Sequence, residues 1–397
     1  VAFREDTIIS IKTVIQGEVR AFSADYHEIA GDFKVPNYDY AREQILKQEG
    51  GEWAIYIVGC ILMLNNTRKL KPEGMEILLT TEVPIGKGLG SSASLEVAVL
   101  KAIVHGLSLD MEEYEIPIIA QKAENLVAGA ACGLMDQLAA NTTKKNKLIP
   151  IICQPHTVFH PIDIPDQIYF VGINSGVSHS VSGASYTDVR TAAFMGYTMV
   201  ALNSGATLRD LDVAKETGDF SGLPYGGYLA NITPSEFENK FLPMLPDTIS
   251  GEAFLEKYKT IIDPISFIDR DQEYRVKNAT RHPVYENFRV KLFAQILRNY
   301  TTEFQNYSNR LQLMGELMYQ SHQSYTDCGL GHEKTDMIVE MIKARGEKKG
   351  LYGARVTGGG NGGTVCVLCG GLSGPESVQQ VFKEYAGMVD EDVELYG

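Results

Sequence analysis

Residues 84–94 of the 397-residue chain read Pro84-Ile85-Gly86-Lys87-Gly88-Leu89-Gly90-Ser91-Ser92-Ala93-Ser94. The run follows a strand-like segment, Met75–Thr81, and precedes an apolar helical pattern from Ser92 to Val104. Its three alternating glycines allow the backbone to turn tightly and to approach a ligand closely. The N-terminus of the following helix offers unpaired N–H groups and the positive end of the helix dipole. The run therefore predicts a loop that binds a polyphosphate, with two serine hydroxyls near the helix cap.

Other glycine motifs fit this run less well. A Walker A loop ends in Gly-Lys-Ser/Thr, which is absent, and a dinucleotide fingerprint requires glycine where Ser91 stands. Protein-kinase catalytic signatures are absent as well. A plain turn before an N-capped helix is an alternative, but it does not require three alternating glycines followed by two serines.

The composition limits the classes of protein to consider. A length of 397 residues favours two domains, and 44% hydrophobic with 22% charged residues excludes a disordered or fibrous chain. The chain has 36 basic and 50 acidic residues, a net charge of −14, which argues against nucleic-acid and anionic-membrane surfaces. No stretch approaches the roughly 20 apolar residues of a membrane span. We expect a cytoplasmic protein without a signal peptide, a monomer or weak homodimer.

The six cysteines are dispersed in apolar surroundings, which predicts buried free thiols instead of disulfides. Cys366 and Cys369 form a C-x-x-C pair, but they lie in a buried-strand pattern with no second ligand pair nearby, which argues against zinc.

The order of predicted elements indicates an α+β protein. Two alternating runs, 6–14 and 19–22, predict an N-terminal hairpin, and 53–64 predicts a buried helix. A helix at 116–127 is interrupted around Gly129 and restarts from Cys132 at a new angle. Two strands, 148–153 and 168–173, are interpreted as a pair at the interdomain boundary. The later helices are predicted at 190–202, 284–297, 308–323, 334–345 and 377–386, with short helices at best between 203 and 282. Strands with a glycine turn between them occupy 354–368.

Three segments, in order along the chain, resemble the motifs of one family. The 84–94 run is similar to the second motif of the GHMP kinases, which include galactokinase, homoserine kinase and mevalonate kinase. Gln121–Glu124 followed by Cys132–Gln137 resembles the galactokinase branch, and Gly353–Thr364 resembles the third motif. Segments 174–190, 195–196, 282–289 and 328–331 are most similar to plant-type L-arabinokinases, so the resemblance spans nearly the whole chain.

The resemblance implies a two-lobed GHMP kinase fold. Residues 1–160 would form an ATP-binding lobe like domain 2 of ribosomal protein S5, and residues 161–397 a ferredoxin-like lobe. Galactokinase-like enzymes also carry a first motif, with an arginine that faces the reacting phosphate, and nothing here matches it. The N-terminal lobe would thus lack its first strand and first motif. A truncated sequence explains this better than a protein without part of its sugar site.

Two carboxylates are the candidates for chemistry. Asp136 begins a helix in an otherwise apolar segment, where a carboxylate needs a partner or a role. The resemblance implies that Asp136 accepts the proton of the sugar's anomeric hydroxyl, or orients and polarises that hydroxyl. An Asp that complements the helix dipole is the alternative. By resemblance, Glu124 and Ser92 would hold Mg²⁺, a cation that prefers carboxylate and hydroxyl oxygens together with phosphates. A solvated helix face beside Lys122 is the alternative for Glu124.

The remaining candidates contact ligands by resemblance. ATP would bind to the loop, through Pro84, Gly86, Gly88, Leu89, Gly90, Ser91, Ser92 and Ala93, and to Trp53 near the adenine. The sugar would contact Gly133, Asp136 and Tyr186, because a tyrosine offers a flat apolar face and one hydroxyl. Core packing is the alternative for Trp53 and Tyr186. The glycines between Gly358 and Gly363 could approach the reacting centre.

The resemblance, together with these residues, implies an ATP- and Mg²⁺-dependent sugar 1-kinase. L-arabinose and D-galactose are the leading acceptors, because they share ring stereochemistry and differ by one hydroxymethyl group. Another acceptor, such as a uronic acid, would require a cation over the C6 carboxylate, and none is identifiable. A sugar and ATP sensor without catalysis is a second alternative, although the intact Ser91-Ser92-Ala93 segment argues against it.

Overall fold

The computed structural model describes residues 7–13, 18–23, 29–32, 42–43, 45–47, 51–68, 75–153, 156–178, 184–300 and 307–397. These residues form two compact units that divide between Pro161 and Ile162.

A mixed four-stranded sheet begins the N-terminal unit. Its strands are β1 (Thr7–Thr13), β2 (Glu18–Ser23), β3 (Ile29–Asp32) and β4 (Met75–Thr81), in the order β1-β4-β2-β3. β4 pairs antiparallel with β1 and parallel with β2. The predicted hairpin is therefore wrong: both strands form, but β4 lies between them. Alternation along a strand reports which faces it presents, not which strand becomes its neighbour.

The helices of this unit surround an apolar core. They are α1 (Gly51–Arg68), α2 (Ser91–Gly106), α3 (Glu115–Lys122) and α4 (Met135–Thr142). A π-helical turn, Ala123–Ala128, extends α3. α1 is buried almost throughout, from Ala54 to Leu64, as expected of a helix that is apolar on all sides. The short strands β5 (Lys147–Leu148), β6 (Ile151–Cys153) and β7 (His156–Val158) end the unit, and β6 pairs with β7.

An antiparallel sheet lies at the centre of the C-terminal unit. After β8 (Ile162–Asp163) come β9 (Ile168–Asn174), β12 (Leu351–Val356), β13 (Thr364–Gly370) and β14 (Leu395–Tyr396), in the sheet order β12-β13-β9-β14. Every residue of β13 is buried. The expected pairing of 148–153 with 168–173 is wrong, because β9 pairs with β13 and β14 whereas β6 pairs with β7.

Seven helices complete the described part of this unit. They are α5 (Ala184–Asn203), α6 (Leu208–Thr217), α7 (Gly251–Tyr258), α8 (Val276–Arg298), α9 (Tyr307–Cys328), α10 (Glu333–Arg345) and α11 (Ser373–Ala386), together with short helical turns and a small β10–β11 ribbon (Ile249–Ser250, Glu273–Tyr274). α8 begins eight residues before its predicted start and continues through Pro283. Val276 and Ala279 are buried, so tertiary packing sustains the helix across the missing N–H of Pro283.

The six thiols are free, as predicted, and five are buried; Cys153 is partly exposed. Among the described residues, no helix is long and apolar enough to span a bilayer.

Candidate active site

The loop before α2 has the conformation that its glycines predict. Gly86, Gly88 and Gly90 have φ values of 69°, 72° and 74°, in the left-handed region that disfavours any residue with a Cβ. The two residues between them do not share that positive φ. Such alternation turns successive N–H groups towards one concave side, which is a site for anions.

α2 begins directly after this loop. Gly90 is its N-cap, with no side-chain cap, and the Gly90 carbonyl accepts the first helical hydrogen bond from Ser94 N at 2.9 Å. The earlier N–H groups of the helix have no intrahelical acceptor, because a helix leaves its first turn unpaired. They point out of the N-terminus with the positive end of the dipole, towards the space that the loop encloses.

Ser92 lies in the first turn of α2 and donates a hydrogen bond to Glu124. The Ser92 Oγ to Glu124 Oε1 distance is 2.9 Å. Glu124 lies in the π-helical turn and is 3% exposed, so the alternative of a solvated helix face is wrong. Burial raises the pKa of Glu124, partly offset by the hydrogen bond from Ser92. Together the two side chains offer one carboxylate and one hydroxyl oxygen, a donor set that suits Mg²⁺ in the presence of phosphates.

The chain between Glu124 and Asp136 folds back on itself. Gly129 ends the π-helical turn with φ 75°, and Ala130 N donates to the Glu124 carbonyl at 3.0 Å. α4 begins at Met135, three residues after the predicted restart at Cys132. The Cys132 N–H is bonded instead to the Asn125 side chain at 2.8 Å, which holds the segment out of the helix.

Asp136 lies beside the loop. A Cβ built on Gly90 would be 3.6 Å from the Cβ, Cγ and Oδ2 atoms of Asp136, so the Asp136 side chain faces the loop at Gly90. Asp136 is in the first turn of α4 and partly exposed. Its proximity also contributes to the raised pKa of Glu124. The structure thus brings together the loop, Ser92, Glu124 and Asp136.

Two further candidates of the N-terminal unit have contrasting surroundings. Gly133 is exposed, and a Cβ added to it would meet no atom within 4 Å. This leaves open space for a ligand three residues before Asp136. Trp53 is partly buried and packs against the core of the unit, in agreement with the core-packing alternative.

The C-terminal unit holds the other candidates. Tyr186 is near the start of α5, and its side chain is only partly buried. The glycine turn between β12 and β13 has a packing reason for its composition. A Cβ on Gly360 would be 2.5 Å from the Leu330 carbonyl oxygen, and one on Gly362 would be 2.6 Å from Val177. These glycines therefore allow the turn to pack closely within its own unit.

Two buried polar residues behind Glu124 escaped the sequence reasoning. Glu96 and Gln137 are both fully buried, and Gln137 Nε2 lies 2.6 Å from Glu124 Oε2 and 3.3 Å from Glu96 Oε2. Burial, followed by the charge of Glu124, raises the pKa of Glu96. A signal was present, because Glu96 interrupts an apolar helix about one turn after Ser92.

Two domain models of one protein family match parts of this chain. The model of the GHMP kinases N terminal domain matches residues 56–143, and that of the GHMP kinases C terminal matches residues 300–387. The first of these ranges contains the loop, Glu124 and Asp136.

Two curated relatives align with almost the whole chain. L-arabinokinase from Arabidopsis thaliana is 37% identical over 396 residues, which cover 95% of this chain and 37% of that protein. Galactokinase from Pasteurella multocida (strain Pm70) is 29% identical over 378 residues, 95% of this chain and 82% of that protein. The chain therefore spans little more than a third of the plant relative.

Among solved structures, Lactococcus lactis galactokinase complexed with galactose superposes with a TM-score of 0.70 at 21% identity. The match covers 99% of this chain and 85% of that one. It confirms the predicted fold: an α+β chain with the two-domain GHMP kinase architecture.

Proposed function

Because the chain belongs to the GHMP kinases, with relatives in the galactokinase branch, we propose that it transfers the γ-phosphoryl group of ATP to a monosaccharide. The acceptor atom is the anomeric hydroxyl, and the products are ADP and the sugar 1-phosphate. The observation that carries this proposal is the position of Asp136 beside Gly90 of the loop, where an added Cβ would be 3.6 Å from Asp136 Oδ2.

The loop contributes binding and charge stabilisation. Phosphoryl transfer asks little covalent chemistry of a protein; it depends on alignment of the acceptor with the γ-phosphoryl group and on stabilisation of developing charge. The N–H groups of residues 86–93 and the N-terminus of α2 bind the phosphates. Pro84 and Leu89 shape this loop, and Trp53 lies towards the adenine.

Asp136 acts on the acceptor. A carboxylate beside the phosphate loop can accept a hydrogen bond from the sugar hydroxyl and take its proton as the oxygen attacks phosphorus. The position of Asp136 at the start of α4 stabilises its negative charge through the helix dipole. We assign the open space at Gly133 to the sugar, whereas the contact of Tyr186 with the sugar stays a prediction of the family resemblance.

Ser92 and Glu124 would hold Mg²⁺ through Ser92 Oγ and Glu124 Oε1. The two oxygens are within hydrogen-bond distance of each other and of the type that Mg²⁺ prefers. When bound with ATP, the cation neutralises phosphate charge. Burial raises the pKa of Glu124, and the hydrogen bonds that Ser92, Cys132 and Gln137 donate to its carboxylate oppose that rise.

The proposed acceptors are L-arabinose and D-galactose, after the names of the two curated relatives. A pocket distinguishes sugars that differ by one hydroxymethyl group by only about 1–3 kcal/mol, so we expect measurable turnover of both.

ADP release from ATP on a panel of pentoses, hexoses and uronic acids tests this function. We expect release that depends on L-arabinose or D-galactose, and a phosphate on C1 of the product. A protein that binds ATP and sugar without releasing ADP would be a sensor. Turnover confined to uronic acids would assign a different acceptor.

A further inference from the structure

The two oxygens of the Glu124 carboxylate have different surroundings. Oε1 accepts a hydrogen bond from Ser92 Oγ at 2.9 Å, on the side of the phosphate loop. Oε2 accepts one from Gln137 Nε2 at 2.6 Å and a weaker one from Cys132 Sγ at 3.3 Å. One oxygen therefore faces the loop residue Ser92, whereas the other is held by buried donors.

Gln137 is fixed between two carboxylates. Its Nε2 lies within hydrogen-bond distance of Glu124 Oε2 and also of Glu96 Oε2. With Nε2 turned towards these two oxygens, the amide donates a hydrogen bond to each of them. Gln137 and Glu96 are both 0% exposed, so water cannot replace either contact. Separating the amide from Glu124 would leave one of its buried N–H groups without that partner, which is unfavourable.

We propose that Gln137 makes Glu124 a one-oxygen metal ligand and thereby favours Mg²⁺ over Ca²⁺ in the nucleotide site. Mg²⁺ demands a compact octahedron and is usually held by single carboxylate oxygens together with phosphates and water. Ca²⁺ accepts more oxygens and readily takes both from one carboxylate. Because Gln137 keeps Oε2 of Glu124 in a hydrogen bond, Glu124 cannot bind Ca²⁺ through both of its oxygens. The inference rests on the proposed function, since it assumes that metal and ATP bind together.

The role is one of positioning. Gln137 acts through Glu124, in the manner of the outer residues that orient metal ligands in other proteins. Its neighbour Asp136 faces the loop backbone instead, so consecutive residues of α4 serve the acceptor and the metal ligand separately.

The test is ATP binding by calorimetry, without sugar, in the presence of Mg²⁺, Ca²⁺ or EDTA. Gln137→Met keeps the side-chain length and removes the amide. We expect the ratio of Mg²⁺- to Ca²⁺-supported affinity to narrow by about tenfold, the lower end for loss of an outer partner of a metal ligand. Binding in EDTA should not change. Gln121→Met is the matched control, because the amide of Gln121 donates to the Cys132 carbonyl, at 3.4 Å, instead of to a carboxylate.

Each outcome decides the inference. An unchanged ratio in folded Gln137→Met overturns it, and so does an equal loss of affinity with and without metal, because that loss indicates damage to the phosphate loop. Gln137→Asn, which withdraws the amide by one methylene, replaces Gln137→Met if the latter does not fold and should narrow the ratio in the same direction. A wild-type protein that binds no ATP refutes the proposed function as well, whereas ATP binding with an unaltered ratio refutes the inference alone.

Discussion

Asp136 faces Gly90, with its Oδ2 atom 3.6 Å from the position that a Cβ on Gly90 would occupy. These residues are 46 positions apart in the chain and belong to the starts of two different helices, α2 and α4. The contact places a carboxylate beside the N–H groups that would bind phosphate. The account of the active site depends on this juxtaposition.

Gly90→Ala should therefore impair function beyond its effect on stability. A residue with a Cβ costs about 1–2 kcal/mol in the left-handed region, and here the methyl group would also stand between the loop and Asp136. We expect turnover to fall at least about tenfold, the equivalent of 1.4 kcal/mol. Gly218→Ala is the matched control: it has φ 71° and no atom within 4 Å of the added Cβ. Equal turnover in the two variants would show that Gly90 has no specific role in catalysis.

Ser92→Ala should weaken the use of Mg·ATP. The variant loses the hydroxyl that lies 2.9 Å from Glu124 Oε1 and so removes one of the two proposed metal oxygens. A hydrogen bond to a charged group contributes about 1.5–3 kcal/mol, so we expect the KM for Mg·ATP to rise by roughly tenfold or more. The KM for sugar should change little. The reverse pattern, a larger effect on sugar than on Mg·ATP, would refute the metal assignment.

Gly133→Ala tests the open space near Asp136. An added Cβ meets no atom within 4 Å, so thermal stability should remain within about 0.5 kcal/mol of the wild type. The methyl group would enter space that we assign to the sugar, and the KM for sugar should rise. Gly222→Ala, where an added Cβ also meets open space, should alter neither stability nor KM. An unchanged KM for sugar in Gly133→Ala would show that the sugar does not bind in the open space at Gly133.

Stability should fall in acid because of two groups in the C-terminal unit. Burial lowers the pKa of His282 from 6.5 to about 4. Burial alone would raise the pKa of Glu286, but the charges of Arg355, His282 and Arg289 outweigh it and lower that pKa from 4.5 to about 2. For both groups the unfolded chain binds the proton first, so stability is complete above the unfolded pKa and declines as the pH falls.

The contribution of His282 to the free energy of unfolding should be lost between pH 6.5 and pH 4, and the loss should be at most about 3 kcal/mol. Urea denaturation across this range measures it. His282→Gln should lose less stability than the wild type between these pH values, since glutamine does not titrate. Parallel curves for the two proteins would contradict the prediction.

Local signals in the sequence were sufficient for the loop and most helices. The alternating glycines predicted a left-handed backbone, and their φ values in the structure are positive. The apolar run of α1 predicted a buried helix, because a helix that is apolar on all sides is stable only when it is buried. The order of the motifs then indicated the family, whose N-terminal and C-terminal domain models match residues 56–143 and 300–387. Asp136 could be proposed because a carboxylate in an apolar segment is costly without a partner.

Other features depend on contacts distant in sequence and could not be derived locally. The insertion of β4 between β1 and β2 is decided by pairing across about 60 residues, which a strand's own alternation does not encode. α8 continues through Pro283 because its first turns are buried in the unit. The sequence carries no local signal for the role of Gln137, which follows only from the fold that places its amide between Glu96 and Glu124.

The most direct test of the account compares Asp136→Asn with the wild type, in ATP binding and in sugar-dependent ADP release. Asp110→Asn, at an exposed position of the same unit, is the control for loss of a negative charge. We predict that Asp136→Asn binds ATP with nearly wild-type affinity while turnover falls by about 10²- to 10⁴-fold, the usual contribution of a positioned general base. Wild-type turnover in folded Asp136→Asn would contradict the central claim that this carboxylate, held against the loop, activates the acceptor.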